Sequence, residues 1–472
     1  MKKIIFNLPL FLILLSIASC SNNNKQSLDS SDYDRAAKHL GQNLNKHLFN
    51  TLNYQRWEEG FLLYNVKGKS ETKGYKLNLS TNELLPTLNP NKRKSQDSSR
   101  SSKEFVSPNG KLAAFIDNYN LWVRNTANDV KTQLTFDGKK DYGYATNNAG
   151  WVQSAGPVLR WSPKSDKIAT FRQDAIGVGE MYLTTTNVGH PKLQAWKYAL
   201  PGDSKIFEIE RIIIDLKASN KIIKLNMNND FQRSTTTDHI AGRGGEFLDT
   251  QWSQDGSRLA FVSSSRDHKE AHLQIADAKT GQVSSIFKEN VETYYESGLR
   301  SENWEVLFES NEFIWYSEKD NWGHLYIYDL KTKKLKNQIT KGNWLVRSMR
   351  HIDPLTREIF FTAGGKEKGN PYHVYFYKVN FDGSDLTCLT PEFGTHTINA
   401  SPNWNYFVTT YSTTTSPPIS VLKNRNGDKL AELASANITE LEKNQWQKPI
   451  EFSVKARDNK TDLFGIMYVP SY

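Results

Sequence analysis

Cysteine is nearly absent: Cys20 and Cys388 are the only two among 472 residues. A disulfide framework is excluded, because two thiols can close one bridge at most. Long apolar runs are short of supply as well. Ile4 to Leu15 is the one that opens the chain, and it is too short for a comfortable membrane span. Helical periodicity is missing: no amphipathic helix of convincing length reads between roughly residues 45 and 440. Neither sign of charge dominates, with 60 Lys and Arg against 51 Asp and Glu, a formal net charge of +9. The densest basic run, Lys92-Arg93-Lys94, sits in the polar stretch 89–102 and reads as a solvated loop. No basic face interleaved with stacking aromatics is visible, so no nucleic-acid partner is expected. His190, His268, His272, His324 and His373 are scattered without metal-ligand spacing, and neither a metal nor another cofactor is expected. Gly242-Arg243-Gly244-Gly245 precedes a strand-like segment rather than a helix, which argues against a phosphate cradle.

What the chain does have is a repeated phrase. Ser107-Pro108-Asn109-Gly110-Lys111-Leu112-Ala113-Ala114-Phe115 returns as Ser162-Pro163-Lys164-Ser165-Asp166-Lys167-Ile168-Ala169-Thr170-Phe171 and as Ser253-Gln254-Asp255-Gly256-Ser257-Arg258-Leu259-Ala260-Phe261. Weaker copies begin at Asp353 and Ser401, so the starts are 55, 91, 100 and 48 positions apart. Those steps read as one, two, two and one units of a period near 50, and strand-and-turn repeats of about 40–50 residues are the mark of a β-propeller. Pro-Asn-Gly and Gln-Asp-Gly supply turns, and Leu-Ala-x-Phe supplies a strand entering a buried sheet. A second strand follows each copy, as at Asn120 to Val123, His272 to Ile275, His324 to Tyr328 and His373 to Tyr377. Asp- or Asn-rich turns then follow, so turn, strand, strand, turn and strand make up one four-stranded blade. The empty beats are assigned to Lys205–Asp215, Asn311–Trp315 and the pair Gly60–Tyr64 and Tyr75–Leu79. The expected fold is therefore all-β, a propeller of seven or eight blades with eight favoured, covering residues 45–445.

The N-terminus reads as an address. Lys2-Lys3, the apolar run and Ser16-Ile17-Ala18-Ser19-Cys20 resemble a bacterial lipobox. Residues 1–19 are then a signal peptide, Cys20 carries lipid, and 20–44 form a polar linker. Several acyl chains would anchor the protein stably to a membrane. The expected location is the bacterial cell envelope, periplasmic or on the outer-membrane surface. With Cys20 acylated, no internal disulfide remains, and Cys388 is expected to behave as a small buried hydrophobe.

Trp315-Tyr316-Ser317-Glu318-Lys319-Asp320-Asn321-Trp322-Gly323-His324-Leu325-Tyr326-Ile327-Tyr328-Asp329-Leu330, Leu134-Thr135-Phe136-Asp137-Gly138 and Arg160-Trp161-Ser162-Pro163 together resemble the propeller domain of the dipeptidyl peptidase IV family of serine peptidases. The resemblance runs from about residue 45 to the C-terminus and implies a propeller that gates and binds a peptide substrate. It also implies a following α/β-hydrolase domain. Pro449 to Lys455 and Leu463 to Pro470 look like that domain's opening β-hairpin, so 446–472 is expected to be the start of a truncated hydrolase. Family members often dimerise, mostly through the hydrolase, so a homodimer is an expected partner state, as is a hydrolase domain acting in trans.

The chemistry of the family requires a Ser nucleophile on a Gly-x-Ser-x-Gly elbow, followed by Asp and His. That pattern does not occur here; Gly202-Asp203-Ser204-Lys205-Ile206 lacks the second Gly. No catalytic residue is assigned, and this chain alone is expected to be inactive. The family's aminodipeptidases hold the substrate ammonium with two adjacent glutamates in the propeller. The matching stretch, Asp141 to Ser154, contains no Glu. The substrate-binding candidates there are Tyr144, Asn147, Asn148, Trp151 and Gln153, with Asp174 or Glu180 as substitute carboxylates from a nearby loop. A rival reading takes the terminal hairpin as closing blade strands of a stand-alone lipoprotein that binds a peptide, a glycan or a protein partner.

Overall fold

The computed structural model describes residues 29–38, 40–87, 103–146, 155–231, 247–296, 304–444 and 446–469. Seven antiparallel sheets of four or more strands occur among them. Sheets 1 and 2 begin at Thr51–Glu58 and Phe105–Val106, and sheet 3 at Arg160–Trp161. Sheets 4 to 7 begin at Thr250–Trp252, Trp304–Leu307, Leu345–Asp353 and Thr395–Ala400. In every sheet but the third, four consecutive strands pair in sequence order. The fold is the β-propeller that the repeat predicts.

The repeated serine explains why each first hairpin forms. Ser107, Ser162, Ser253 and Ser401 are all buried, and each hydroxyl closes its own turn. The Ser162 hydroxyl donates to Asp166 at 2.9 Å and accepts the Lys167 N–H at 2.9 Å. The Ser253 hydroxyl donates to Asp255 and accepts the Arg258 N–H at 2.9 Å. A side chain that satisfies a buried backbone donor fixes the turn locally. Gly110 and Gly256 sit at φ +72° and +70°. Ser165 and Trp404 take the same left-handed conformation without glycine, at φ 58° and 55°. That geometry costs a residue with a Cβ about 1 kcal/mol, which accounts for Gly in the clearer copies.

The first strands lie innermost. The indole N–H of Trp161 donates to the Phe105 carbonyl and that of Trp252 to the Arg160 carbonyl, both at 3.1 Å. The Trp57 indole N–H reaches the side-chain oxygen of Asn399 at 2.6 Å. Each bond joins the first strands of two sheets, and the last joins sheet 1 to sheet 7. Phe49 bridges Asn437 beside it, and Leu62, Tyr64 and Val66 of sheet 1 pack on Val408, Leu422 and Leu433 of sheet 7. The core is accordingly a series of wedges between neighbouring sheets, such as Val262, Leu273, Phe313 and Trp315 between sheets 4 and 5. Cys388 is only half-buried, at the edge of the wedge between sheets 5 and 6, rather than fully enclosed.

One expected beat is reassigned. Glu208–Asp215 pairs along its whole length with Lys167–Asp174, so the stretch after Lys205 completes sheet 3 and starts no blade of its own. The step of 91 residues is thus one sheet with an insertion. The inserted residues form a separate hairpin, Glu180–Thr184 with Leu193–Lys197. Asn311–Trp315 does fall in a sheet of its own, sheet 5.

The alternation of strands sorts the connections onto two faces. The serine turns and the Asp-rich turns share one face, where Arg425 pairs with Asp353 and Glu358 of the preceding sheet, and Arg357 pairs with Glu312. The links between sheets, and between second and third strands, share the other face. There Arg266 of sheet 4 donates to the Leu200 carbonyl of the sheet 3 insertion at 3.2 Å. The terminal hairpin, Ile450–Lys455 with Asp462–Met467, meets this loop face through Glu451, which accepts the Thr414 hydroxyl. Ile450, Phe452, Val454, Leu463 and Ile466 of the hairpin are exposed.

Candidate functional site

The candidate residues that the structure describes gather at the loop-face end of sheet 3. Tyr142–Tyr144 pairs with the end of Lys167–Asp174, which puts Tyr144 opposite Arg172 and Tyr142 opposite Asp174. On the other flank of the same strand, Arg172 faces Glu210 and Asp174 faces Glu208. Directly opposite residues share a face of the sheet, so two tyrosines, one arginine and three carboxylates converge there.

Arg172 is the hub. Its guanidinium binds Asp137 at 2.9 Å and Glu210 at 2.8 Å. It also lies 4.5 Å from the ring centroid of Tyr142, a favourable cation–π distance. Burial disfavours its charge, yet Glu210, the two tyrosines and Asp137 outweigh that and raise its pKa. The Tyr144 hydroxyl donates to Asp137 at 2.6 Å. That bond, ahead of the opposing effect of burial, holds the Asp137 carboxyl below its usual range. Burial and Asp137 together push the Tyr144 phenol up. Lys224 binds the remaining oxygen of Glu210 at 2.9 Å. Arg172 and Lys224 are thus paired with Asp137 and Glu210.

Tyr144 is 4% exposed and its ring belongs to the wedge between sheets 2 and 3. Its hydroxyl is committed to Asp137, so it braces the start of the loop that follows rather than pointing freely outward. Asn147, Asn148, Trp151 and Gln153 lie outside the described residues, as does Cys20. Asp174 accepts the Ile176 N–H at 2.9 Å and ends its strand. Glu180 opens the inserted hairpin, exposed, and accepts the Tyr182 hydroxyl at 2.9 Å. The structure therefore brings Tyr144 and Asp174 onto one face and puts Glu180 on the arm beyond. Asp137, Arg172 and Glu210 were not candidates. Asp137 stands in Leu134-Thr135-Phe136-Asp137-Gly138, but nothing local tells which cation a lone aspartate will meet.

Among the described residues no serine, histidine and carboxylate are hydrogen-bonded in series. Among the described residues the Ser–His approach on an outer strand pair is His272 Nε2 to Ser285 Oγ, 2.8 Å. No carboxylate is hydrogen-bonded to the other ring nitrogen, and burial lowers the pKa of the imidazole. A triad needs that third group to orient the base. No group of three or more His, Cys, Asp or Glu side chains is placed to hold a metal among the described residues. No helix there is long and apolar enough to cross a membrane.

The β-propeller thus carries this site on its loop face, with the terminal hairpin meeting the same face. Residues 62–418 match the family model of the dipeptidyl peptidase IV N-terminal region, and the chain belongs to that family. Dipeptidyl peptidase 4 of Bos taurus is 23% identical over 342 residues, covering 68% of this chain and 43% of the bovine protein. Dipeptidyl peptidase 4 of Felis catus is 24% identical over 61% of this chain and 38% of its own length. Dipeptidyl peptidase 4 of Porphyromonas gingivalis superposes with a TM-score of 0.63 at 18% identity, covering 89% of this chain and 55% of that one. A proposed dipeptidyl aminopeptidase IV of Bacteroides ovatus gives 0.60 at 20% identity, with 86% and 55% covered. The chain thus spans less than half the length of these curated relatives.

Proposed function

We propose that this chain is the substrate-gating and peptide-binding propeller of a dipeptidyl peptidase IV-like serine peptidase, anchored to a bacterial envelope membrane through lipid on Cys20. The observation that carries the reading is the family match over residues 62–418 together with a loop face that bears the braced site at sheet 3. Hydrolysis would be done by a domain that supplies the Gly-x-Ser-x-Gly elbow absent from these 472 residues. The exposed apolar hairpin at Ile450–Met467 supports a covering domain there. Without the glutamate pair in residues 141–154, amine anchoring would fall to Asp174, to Glu180 or to hydrogen bonds from the loop.

The test is direct. The purified chain should bind short Xaa-Pro peptides in titration calorimetry and leave Xaa-Pro chromogenic substrates intact. Turnover that persists after a contamination control would refute the division of labour, and the absence of any peptide binding would refute the gating role. Labelled palmitate should enter the wild-type chain in a bacterial host and be lost in Cys20→Ala.

A further inference from the structure

The inner strands carry one position that recurs in every sheet. Pairing with the second strand puts Arg56, Phe105, Arg160, Gln251, Glu305, His351 and Asn399 at matching heights: each lies one residue before the last pair at the turn-face hairpin in sheets 2, 3, 4 and 7, and two before it in sheets 1, 5 and 6. The three indole bonds confirm it, since Phe105, Arg160 and Asn399 are the acceptors in the preceding sheets. These residues therefore form a collar around the axis, towards the turn face. None of them is fully buried.

Three collar positions are charged. Arg56 is paired with Glu58, and Arg160 donates to the Phe247 carbonyl at 3.3 Å. Glu305 is different. Its carboxylate has no hydrogen-bond or ion-pair partner among the described residues. Ile314 lies directly across the strand pair and shares its face of the sheet. Gln251, on the neighbouring inner strand, is tied up at both ends by the Val306 backbone. Arg160, two sheets away, acts on Glu305 through its field and not by contact. A half-buried carboxylate with no partner is costly unless something neutralises it. Its neighbours in the collar supply neither a proton donor nor a cation at contact distance.

We propose that Glu305 is a binding site for a cationic side chain, lysine or arginine, of a peptide occupying the central channel. This rests on the peptide-binding reading and adds a preference to it. The site lies on the inner strand of sheet 5, apart from the sheet 3 cluster, and acts on a side chain rather than on a chain terminus. Burial works against the charged carboxylate, and the field of Arg160 favours it.

The experiment uses the full chain and two probes, Ac-Ala-Lys-Ala-amide and Ac-Ala-norleucine-Ala-amide, which differ in a single ammonium. Wild type should bind the lysine peptide about tenfold more tightly, in the range of a partly desolvated charge pair. Glu305→Gln should abolish that preference while leaving the norleucine peptide's affinity unchanged. A preference that survives Glu305→Gln overturns the assignment. Equal binding of both peptides by wild type overturns it too and leaves the peptide-binding role standing. Failure of either peptide to bind removes both.

Discussion

Removing the Arg211 guanidinium should unfasten sheets 3 and 4. Arg211 is 3% exposed, on the strand Glu208–Asp215, one residue from the Glu210 that holds Arg172. It binds Asp230 at 2.8 Å and Asp249 at 2.7 Å, and lies 4.8 Å from the Phe261 ring centroid and 5.2 Å from that of Phe247. Burial opposes its charge, but the two aspartates outweigh it and raise its pKa. Arg211→Met keeps the volume and takes the cation away from two buried carboxylates, Asp230 keeping the Ser263 hydroxyl at 2.7 Å. Breaking a buried ion pair on one side costs about 3–5 kcal/mol, a large share of the roughly 5–15 kcal/mol that holds a domain folded. Urea unfolding followed by tryptophan fluorescence should show that loss. The triple variant Arg211→Met, Asp230→Asn, Asp249→Asn should recover most of it, because the uncompensated charge is gone. A single variant within about 1 kcal/mol of wild type, or a triple variant less stable than the single, would show that the cluster is not the clasp its geometry describes.

Other outcomes follow from single contacts. Trp57→Phe removes the indole bond to Asn399 and should destabilise the closure of sheet 1 on sheet 7 by about 1 kcal/mol, read as a lower thermal midpoint. Tyr144→Phe frees Asp137 from its hydroxyl and should weaken Xaa-Pro peptide binding by loosening the following loop, with stability changed by about 1 kcal/mol. Burial pushes the Glu312 carboxyl up, but Arg357 and Lys336 outweigh it and hold it at about 2. A lowered carboxyl pKa stabilises above the ordinary value of 4.5 and stops doing so as pH falls toward about 2. The advantage of wild type over Glu312→Gln should therefore vanish across that window; both cations are half-exposed, so it should be about 1–2 kcal/mol at neutral pH. Burial lowers the pKa of His396, whose ring is held between the Glu392 carbonyl at 2.7 Å and the Thr409 hydroxyl at 2.9 Å, with Lys423 nearby. A lowered histidine pKa means that the unfolded chain takes up the proton first, so stability should fall as pH drops below about 6.5. The slope should be shallower in His396→Gln.

The repeat was legible because its chemistry is local. A serine, an Asn or Asp two residues on and a glycine close one turn, and each works within six residues of chain. The inner and second strands could be read from the same phrase. The 91-residue step was misjudged for a physical reason: period alone does not distinguish a missing copy from an inserted hairpin, and Glu208–Asp215 declares its partner only by pairing with Lys167–Asp174. The candidate site was half visible. Tyr144 and Asp174 were found from their distance along the chain to the Ser162 copy. Arg172 was not, because its value lies in reaching Asp137, 35 positions earlier, and Glu210, across the inserted hairpin. The clasp at Arg211 was equally hidden within an apparently simple strand.

The two faces of the ring also explain where departures from the repeat are tolerated. On the turn face each hairpin contacts its neighbour, as Arg357 does Glu312 and Arg425 does Asp353, so a longer turn would collide with the next sheet. On the loop face added length can run outward at little entropic cost. The insertion at Gly179–Phe207 and the terminal hairpin both fall there. A break in the period is therefore a pointer to the functional face. The collar obeys the converse rule. Its backbone position is held in register by the repeat, so only the side chain is free to vary, and variation at Arg160, Gln251 and Glu305 alters the charge of the channel without altering its walls. Under the proposed peptide-binding role, specificity would change in two independent ways, by length on the loop face and by charge along the axis.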